Sequence, residues 1–462
     1  MRSSGGPLRA PSIKVIDRYL AVPLAGCVYA LIIYPLLISL CNPGDVACTH
    51  TPRPENRIVW PLLSAVALYF AVRNWGRLVV PTHIICLFAY LAFAGLSVVW
   101  AFSSELSAVR YLQQVMVVSS IVLPALIMTG RTDLVRGLFL CFALAMFINI
   151  FYVLGPPTKY TAEATLGHSG YFAGKNYLGQ CAAITVLLAL HEILHPGRRR
   201  ALGIAVMVVA VTLLLMSNSK TSIAAAFLAP TLALIAVTAK RKLRLSVLAL
   251  PVAILLVSLV MLYVLNFSIY RLSYVLYGEP TFTGRRTIWE FAQYEIGRRP
   301  LYGWGYQSFW LAGPGAPSVV DAPGWVKNMP NAHNGYLDAA LEMGYGGLTL
   351  LLLFLSATLH ASGRLIDRDP ARGWCMITLA SFVIINNLLE STWFRAFEFL
   401  WVLFLIVSAE IARYCYPYAP GQSLQTAGAG QRAIIRSRRP MQRAPASRAV
   451  PQRTLLAGPP KT

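Results

Sequence analysis

The chain has 462 residues, 56% of them hydrophobic and 13% charged, with a mean hydropathy of +0.58. That balance excludes an ordinary soluble globular protein and fits a polytopic membrane protein. The formal charge of +22 is scattered over short inter-helix loops and one tail. It forms no compact basic domain, so it reads as membrane charge and excludes a nucleic-acid partner.

In chain order, Arg2, Arg9, Lys14 and Arg18 precede the first apolar run. A convincing small-residue cleavage site is lacking, so this run is expected to be a retained anchor. Runs of spanning length, about 17 to 25 residues, fall at 20–40, 58–73, 83–101, 111–129, 134–154, 177–194, 201–217, 222–238, 245–266, 336–359, 373–389 and 395–413. The expected fold is all-α, a polytopic protein with about twelve transmembrane helices. An N-terminus at 1–19 leads into nine spans over 20–266. A large loop at 267–335, three spans over 336–413 and a tail at 414–462 follow.

With the N-terminus inside, the segments on its side hold 27 of the 40 Lys and Arg residues. The positive-inside rule then places both termini in the cytoplasm and the large loop outside. Cys27, Cys86, Cys141, Cys181 and Cys375 fall within spans, where a small apolar residue is a sufficient account. Cys41 and Cys48 flank an outward loop and are open to pairing in an oxidising compartment.

Inside the large loop, "TGRRTIWEFAQYEIGRRP" reads as a short amphipathic helix with Ile288, Trp289, Ala292 and Ile296 on one side and Pro300 as its stop. "LYGWGYQSFW" follows, an aromatic turn segment punctuated by glycine. From Pro417 onward there are eight Lys/Arg and no acid. That composition predicts a disordered tail lying against anionic inner-leaflet lipids. No internal repeat is visible, which disfavours the inverted-repeat transporters.

The residues able to carry chemistry gather at the outer ends of the spans. In "PNAHNGYLDAALEMGYGG", a helix beginning near Asn334 puts His333 at its N-terminus, where the dipole disfavours added positive charge. A neutral imidazole is what a general base near pH 7 requires; an interfacial histidine beside a helix cap is the structural alternative. Asn334, Asp338 and Glu342 repeat at i+4 and form one polar stripe. His333, Leu337, Ala340, Gly344 and Gly347 form a small-residue face suited to close packing.

Arg285 and Arg286 stand in the first turn of the amphipathic helix, against its dipole, which suggests an anionic partner. Arg286 has Glu290 four residues on, whereas Arg285 has no such neighbour and is the better phosphate ligand. Lys220 in "MSNSKTS", Lys175 and Asn176 in "FAGKNYLG", and Glu390 in "NNLLESTWFR" lie at the same depth. Snorkelling lysines and a Glu390–Arg395 ion pair are the structural alternatives. Trp289, Tyr302, Trp304, Tyr306 and Trp310 are candidates for stacking on sugar faces, or else an interfacial belt. A transporter would place ionisable groups or broken helices at mid-membrane; here the span centres are nearly bare. The pattern suits catalysis at the outer face on a lipid-borne substrate.

The block "GRRTIWEFAQYEIGRRPLYGWGYQSFW", followed by "AHNGYLDAALEMGYGGL", resembles the O-antigen ligase and polysaccharide polymerase superfamily. "SNSKTS" and "FAGKNYLG" look like further landmarks of it, closest to the exopolysaccharide-polymerase branch. The resemblance covers most of residues 90–410. It implies a multi-pass, metal-independent C-type glycosyltransferase of the bacterial inner membrane, without cofactors. Such proteins move glycan from undecaprenyl diphosphate to a glycan or lipid acceptor at the periplasmic face, with other polysaccharide export proteins as expected partners. Carried over, Arg285 with Trp289 binds the diphosphate and His333 is the base or positions the acceptor. Lys175, Asn176, Lys220, Arg286, Asn334 and Trp304 complete the expected binding residues, and Glu390 is the second proton acceptor. Lys220 stands where ligases usually carry arginine, and it keeps the charge without the bidentate fork. "GKN" also lacks the histidine often found before the lysine. A non-catalytic exporter or flippase of lipid-linked polysaccharide is the alternative function.

Overall fold

In a computed structural model of the chain, residues 18–41, 53–127, 133–155, 167–263 and 284–415 are described. The residues before Arg18, Cys48, the loop at 156–166, the first part of the large loop and the basic tail after Cys415 lie outside them. Cys41 is disulfide-bonded.

Among the described residues the regular elements are helices. We number them α1 (Arg18–Ile38), α2 (Asn56–Arg73), α3 (Thr82–Ser97), α4 (Ser104–Leu126), α5 (Leu134–Leu154), α6 (Lys175–Ile193), α7 (Arg198–Met216), α8 (Lys220–Leu243), α9 (Ala249–Tyr263), α10 (Arg285–Arg298), α11 (Gly335–Arg368), α12 (Pro370–Asn386) and α13 (Phe399–Arg413). Every apolar run expected to span overlies one of them. Seven of these helices are long and apolar enough to cross a membrane, and α10 is the amphipathic helix of the loop. The chain is an all-helical, multi-pass membrane protein. Twelve crossings and cytoplasmic termini belong to the reading proposed below.

Helix ends depart from the apolar runs where capping chemistry overrides hydropathy. The run at 111–129 becomes a helix from Ser104, entered through extended Ser103 with Glu105 in the first turn. Asp369 caps α12 by accepting the Arg372 N–H, with Pro370 at its first position. Lys240, Arg241 and Lys242 fill the last turn of α8, complementing its dipole, and left-handed Arg244 ends it.

One feature of α11 was hidden in its sequence. Gly344, placed on a continuous small-residue face by its spacing, sits at φ 64°, ψ −171° and breaks the helix in two. The carbonyls released near the break are taken by the aromatic turn: Trp304 N–H donates to Leu341 O at 3.0 Å and Gly305 N–H to Glu342 O at 2.8 Å. Tyr345 N–H in turn donates to Pro300 O at 2.7 Å. Any side chain at 344 would run into the Leu301 carbonyl and carry a strained positive φ. The loop is thereby locked into the bundle.

Around that lock, Ile288, Phe291, Ala292 and Ile296 of α10 pack on Trp304, Phe309, Trp310 and Ala340. Arg110 of α4 donates to the carbonyls of Gln307 and Trp310. The amphipathic face expected for α10 is present, with Phe291 added and Trp289 half-buried at its edge.

Candidate active site at converging helix N-termini

Three helix N-termini meet at one carboxylate, and a fourth lies one hydrogen bond away. Glu390 lies in the turn between α12 and α13. That turn is set by Asn387, whose Oδ1 accepts from Thr392 N at 2.9 Å and whose Nδ2 donates to Thr392 Oγ1 at 2.8 Å. Glu390 Oε1 accepts from Arg285, the first residue of α10, at 3.0 Å, and from Asn176, in the first turn of α6, at 3.1 Å. Glu390 Oε2 lies 3.3 Å from His333 Nδ1, just before α11. Asn176 Oδ1 then accepts from Ser219 Oγ at 3.2 Å, next to Lys220 at the start of α8. The positive ends of α6, α8, α10 and α11 thus converge with Lys175, Lys220 and Arg285 on one small region. Such an arrangement suits an anion.

Asn334 holds α11 in place. Its Oδ1 accepts from Tyr336 N and Leu337 N, and its own N–H donates to Ser391 Oγ at 3.0 Å. The preceding His333 adopts φ +49°, a left-handed conformation uncommon for a non-glycine residue. That backbone turn aims its ring at Glu390 instead of along the helix. The ring keeps 31% of its surface exposed, while Arg285 and Glu390 each keep 15%. With Nδ1 held by a carboxylate, Nε2 is the nitrogen left to exchange a proton.

The sequence-based assignments need correction here. Glu390 does not pair with Arg395. Arg395 turns inward to Asp338 Oδ2 at 3.3 Å and Glu342 Oε1 at 3.2 Å. Arg285, which lacks a partner at helical spacing, finds one in Glu390. In the polar stripe, Asp338 and Glu342 face protein and are buried, and Asp338 also accepts from Trp310 Nε1 at 2.8 Å. Trp304, Tyr306 and Trp310 are buried as well. Trp304 donates to Glu295 O and lies under the Arg299 guanidinium at 4.1 Å, so its faces are unavailable to a sugar. Trp289, whose indole donates to Ala332 O at 3.0 Å, and exposed Tyr302 are the rings left. Arg286 makes its expected local pair with Glu290 at 2.7 Å.

Sequence reasoning passed over Tyr177 and Glu398. The Tyr177 hydroxyl donates to Glu398 Oε1 at 3.3 Å, one residue beyond Asn176. Burial pushes the Glu398 carboxyl up to about 7, against the Arg395 charge that lowers it and with help from Glu390. Its only signal was an acid near the start of the apolar run at 395–413. A cleft of about 530 Å³, lined by Trp100, Arg299, Pro300, Leu301, Tyr302 and Gly303, contains none of the Glu390 group.

Among the described residues, one His/Glu group has its ligand atoms close enough to hold a metal: His191, Glu192 and His195. These stand at the other end of α6. Both Glu192 oxygens are taken by guanidiniums, one from Arg199 and the other from Arg136 and Arg199. A cation would have to displace two arginines to reach that carboxylate.

Comparison with known proteins agrees with the resemblance seen in the sequence. Residues 205–352 match the model of the O-antigen ligase family. The chain is also 26% identical, over 303 residues, to the exopolysaccharide production protein ExoQ of Rhizobium meliloti (strain 1021). That alignment covers 62% of this chain and 67% of ExoQ. The O-antigen ligase and polymerase superfamily, on its exopolysaccharide side, is what this chain resembles.

Proposed function

We propose that this O-antigen ligase-like chain is a membrane glycosyltransferase of polysaccharide biosynthesis. It moves or polymerises glycan carried on undecaprenyl diphosphate at the periplasmic face of the inner membrane, with both termini in the cytoplasm and about twelve spans. The family match and the ExoQ likeness support a membrane enzyme of exopolysaccharide or lipopolysaccharide assembly. The observation that carries the mechanism is the convergence of Arg285, Asn176 and His333 on Glu390, at three helix N-termini.

In this reading His333 Nε2 takes the proton of the acceptor hydroxyl as its oxygen attacks the anomeric carbon. The new C–O bond forms as the bond from that carbon to the diphosphate oxygen breaks, with inversion. The electron pair leaves with undecaprenyl diphosphate. Glu390 holds the imidazole Nδ1 and stabilises the imidazolium formed. Arg285, Lys220 and Lys175 counter the charge of the departing diphosphate, the electrostatic role usually largest in such sites. A guanidinium has five N–H donors, so Arg285 can keep Glu390 while reaching a phosphate oxygen. Trp289 and Asn334 position the site around it, and the mechanism calls on no metal.

The test is transfer by purified protein from an undecaprenyl-diphosphate-linked oligosaccharide. Arg285→Ala should abolish transfer while the protein inserts at wild-type levels. Arg285→Lys should restore only part, because the charge returns without the fork. Normal transfer by Arg285→Ala would remove the basis of this reading. Lipid-linked glycans in a deletion strain then separate the two acceptor classes: single repeats mark a polymerase and full-length unattached polymer marks a ligase.

A further inference from the structure

Beside the Glu390 group lies a second cluster, neither cationic nor solvent-facing in the same way. Midway along α1 the Tyr29 hydroxyl donates to Asn56 Oδ1 at 2.7 Å. Asn56 opens α2 and is 5% exposed, yet its Nδ2 has no hydrogen-bond partner. Glu55, the N-cap residue of α2, makes no side-chain cap bond, and its Oε2 is buried and unpartnered too. Half-buried Tyr34 lies between them and the next turn: its ring centroid is 6.3 Å from Tyr29 and 5.6 Å from Phe397. Glu398 and Arg53 act electrostatically on the Tyr34 hydroxyl, and the Asn56 side chain reaches toward it. The cluster borders the first site directly, since Glu398 and Glu390 both act on the hydroxyl of Tyr177.

An unpaired buried amide donor or carboxylate oxygen costs about 1–3 kcal/mol. Packing alone does not explain why two stand side by side at a helix start. A lipid chain would leave both unpaired. A phosphate would face two carboxylates, Glu55 and Glu398, against the single guanidinium of Arg53. Sugar hydroxyls both donate and accept, and the C–H face of a pyranose lies well on an aromatic ring. We propose that the cluster of Tyr34, Glu55, Asn56, Phe397 and Glu398 is a carbohydrate subsite, holding the acceptor end of a neutral glycan. The term acceptor rests on the glycosyl-transfer reading; the sugar binding does not. In this arrangement the diphosphate lies on the cationic side of Tyr177, the acceptor sugar on its acidic side, and the His333–Glu390 pair between them.

The experiment measures binding of short neutral hexose oligosaccharides to the full-length protein in detergent, by saturation-transfer NMR, without donor. Asn56→Asp keeps the oxygen that Tyr29 needs and removes only the orphan donor. Tyr34→Ala removes the ring. Each should weaken binding by about tenfold, the effect of losing one such contact. Arg285→Ala should bind sugar as wild type does while losing the lipid diphosphate. Absence of binding by every oligosaccharide, or equal binding by wild type, Asn56→Asp and Tyr34→Ala, overturns the subsite. Loss of transfer in Arg285→Ala alongside unchanged sugar binding in Asn56→Asp would sink the subsite and leave the transfer reading standing. Normal transfer by Arg285→Ala with sugar binding lost in Asn56→Asp would do the reverse.

Discussion

The two ends of the bundle use the same residue types toward opposite results. At the end holding Asp133, Glu192 and Glu410, each carboxylate is closed by more than one arginine. Asp133 meets Arg199 at 3.1 Å and Arg372 at 3.2 Å; Glu410 meets Arg372 at 2.5 Å and Arg413 at 2.7 Å. Burial works to raise the Asp133 carboxyl, but Arg372 and Arg199 outweigh it and hold it below the usual range. Three acids against four arginines make a nearly neutral clamp across α5, α6, α7, α12 and α13. At the other end one carboxylate, Glu390, is shared by a histidine, an arginine and an amide, with Lys175 and Lys220 beside it. There the cations exceed the acids, and the imidazole stays open to solvent. A balanced network holds helices together, whereas an unbalanced one is ready for an anion.

The largest effect that separates the two ends comes from one substitution in each. His333→Ala should lower transfer by about 10² to 10⁴, the range of a missing general base, with donor binding and thermal stability retained. Glu192→Ala should do the opposite. The carboxylate is fully buried, and its loss leaves Arg136 without its acid and Arg199 with Asp133 alone. A cost of about 3 kcal/mol in stability is expected, with the remaining folded protein still active. Thermal melts and transfer rates on both proteins decide it. Wild-type transfer by His333→Ala would end its assignment as the base, and Glu390 would be the next candidate.

How much of this was legible beforehand follows from the reach of sequence arguments. Spans were legible because hydrocarbon demands a contiguous apolar length, which is a local property. The α10 face and the start of α11 near Asn334 were legible because helical periodicity and helix-start signals also act within a few residues. The Glu390 junction was not. Arg285 is 105 residues away in the chain and His333 is 57, far beyond any i+4 rule, so neighbouring Arg395 looked the natural partner. The break at Gly344 was hidden for a related reason. A glycine at helical spacing looks like a packing residue until the segment that fills the break, 300–305, is known. Burial misled the aromatic assignments as well, because composition cannot tell a tryptophan on a surface from one under it.

A smaller effect sharpens the contrast through pH. Glu398 is lifted to about 7 in the folded protein, above the ordinary glutamate value of about 4.3. A raised acid favours folding only while protonated. Its contribution is therefore fully present below about pH 4 and declines as pH rises through 7. Glu398→Gln removes that decline and should melt a few degrees above wild type at pH 8. Near pH 4, where the carboxyl is largely neutral in the folded and unfolded chains alike, the two should nearly coincide. Acids of the clamped end, such as Asp133, are lowered instead and should show no gain on neutralisation at pH 8. Equal melting of Glu398→Gln and wild type across this range would show that Glu398 is not held in a desolvated position.

The smallest expected effect tests whether the cation excess of the open end is local to Glu390 or spread along α10. Arg286 adjoins Arg285 but faces away from Glu390, forming an i,i+4 pair with Glu290. Both side chains of that pair are more than half exposed, at 52% and 57%. Exposed helix pairs contribute about 0.3–0.5 kcal/mol, and salt screens them further. Arg286→Ala should therefore change stability by no more than that. If only residues reaching Glu390 meet the diphosphate, transfer should stay within about twofold of wild type, equivalent to roughly 0.4 kcal/mol. Raising the ionic strength should erase even this difference. Should Arg286→Ala instead lose transfer as completely as Arg285→Ala, with normal insertion and melting, the donor would have to lie across the whole first turn of α10. Glu290 would then serve to orient Arg286 toward it, and the site would extend one residue further from Glu390 than the hydrogen bonds of the free protein trace.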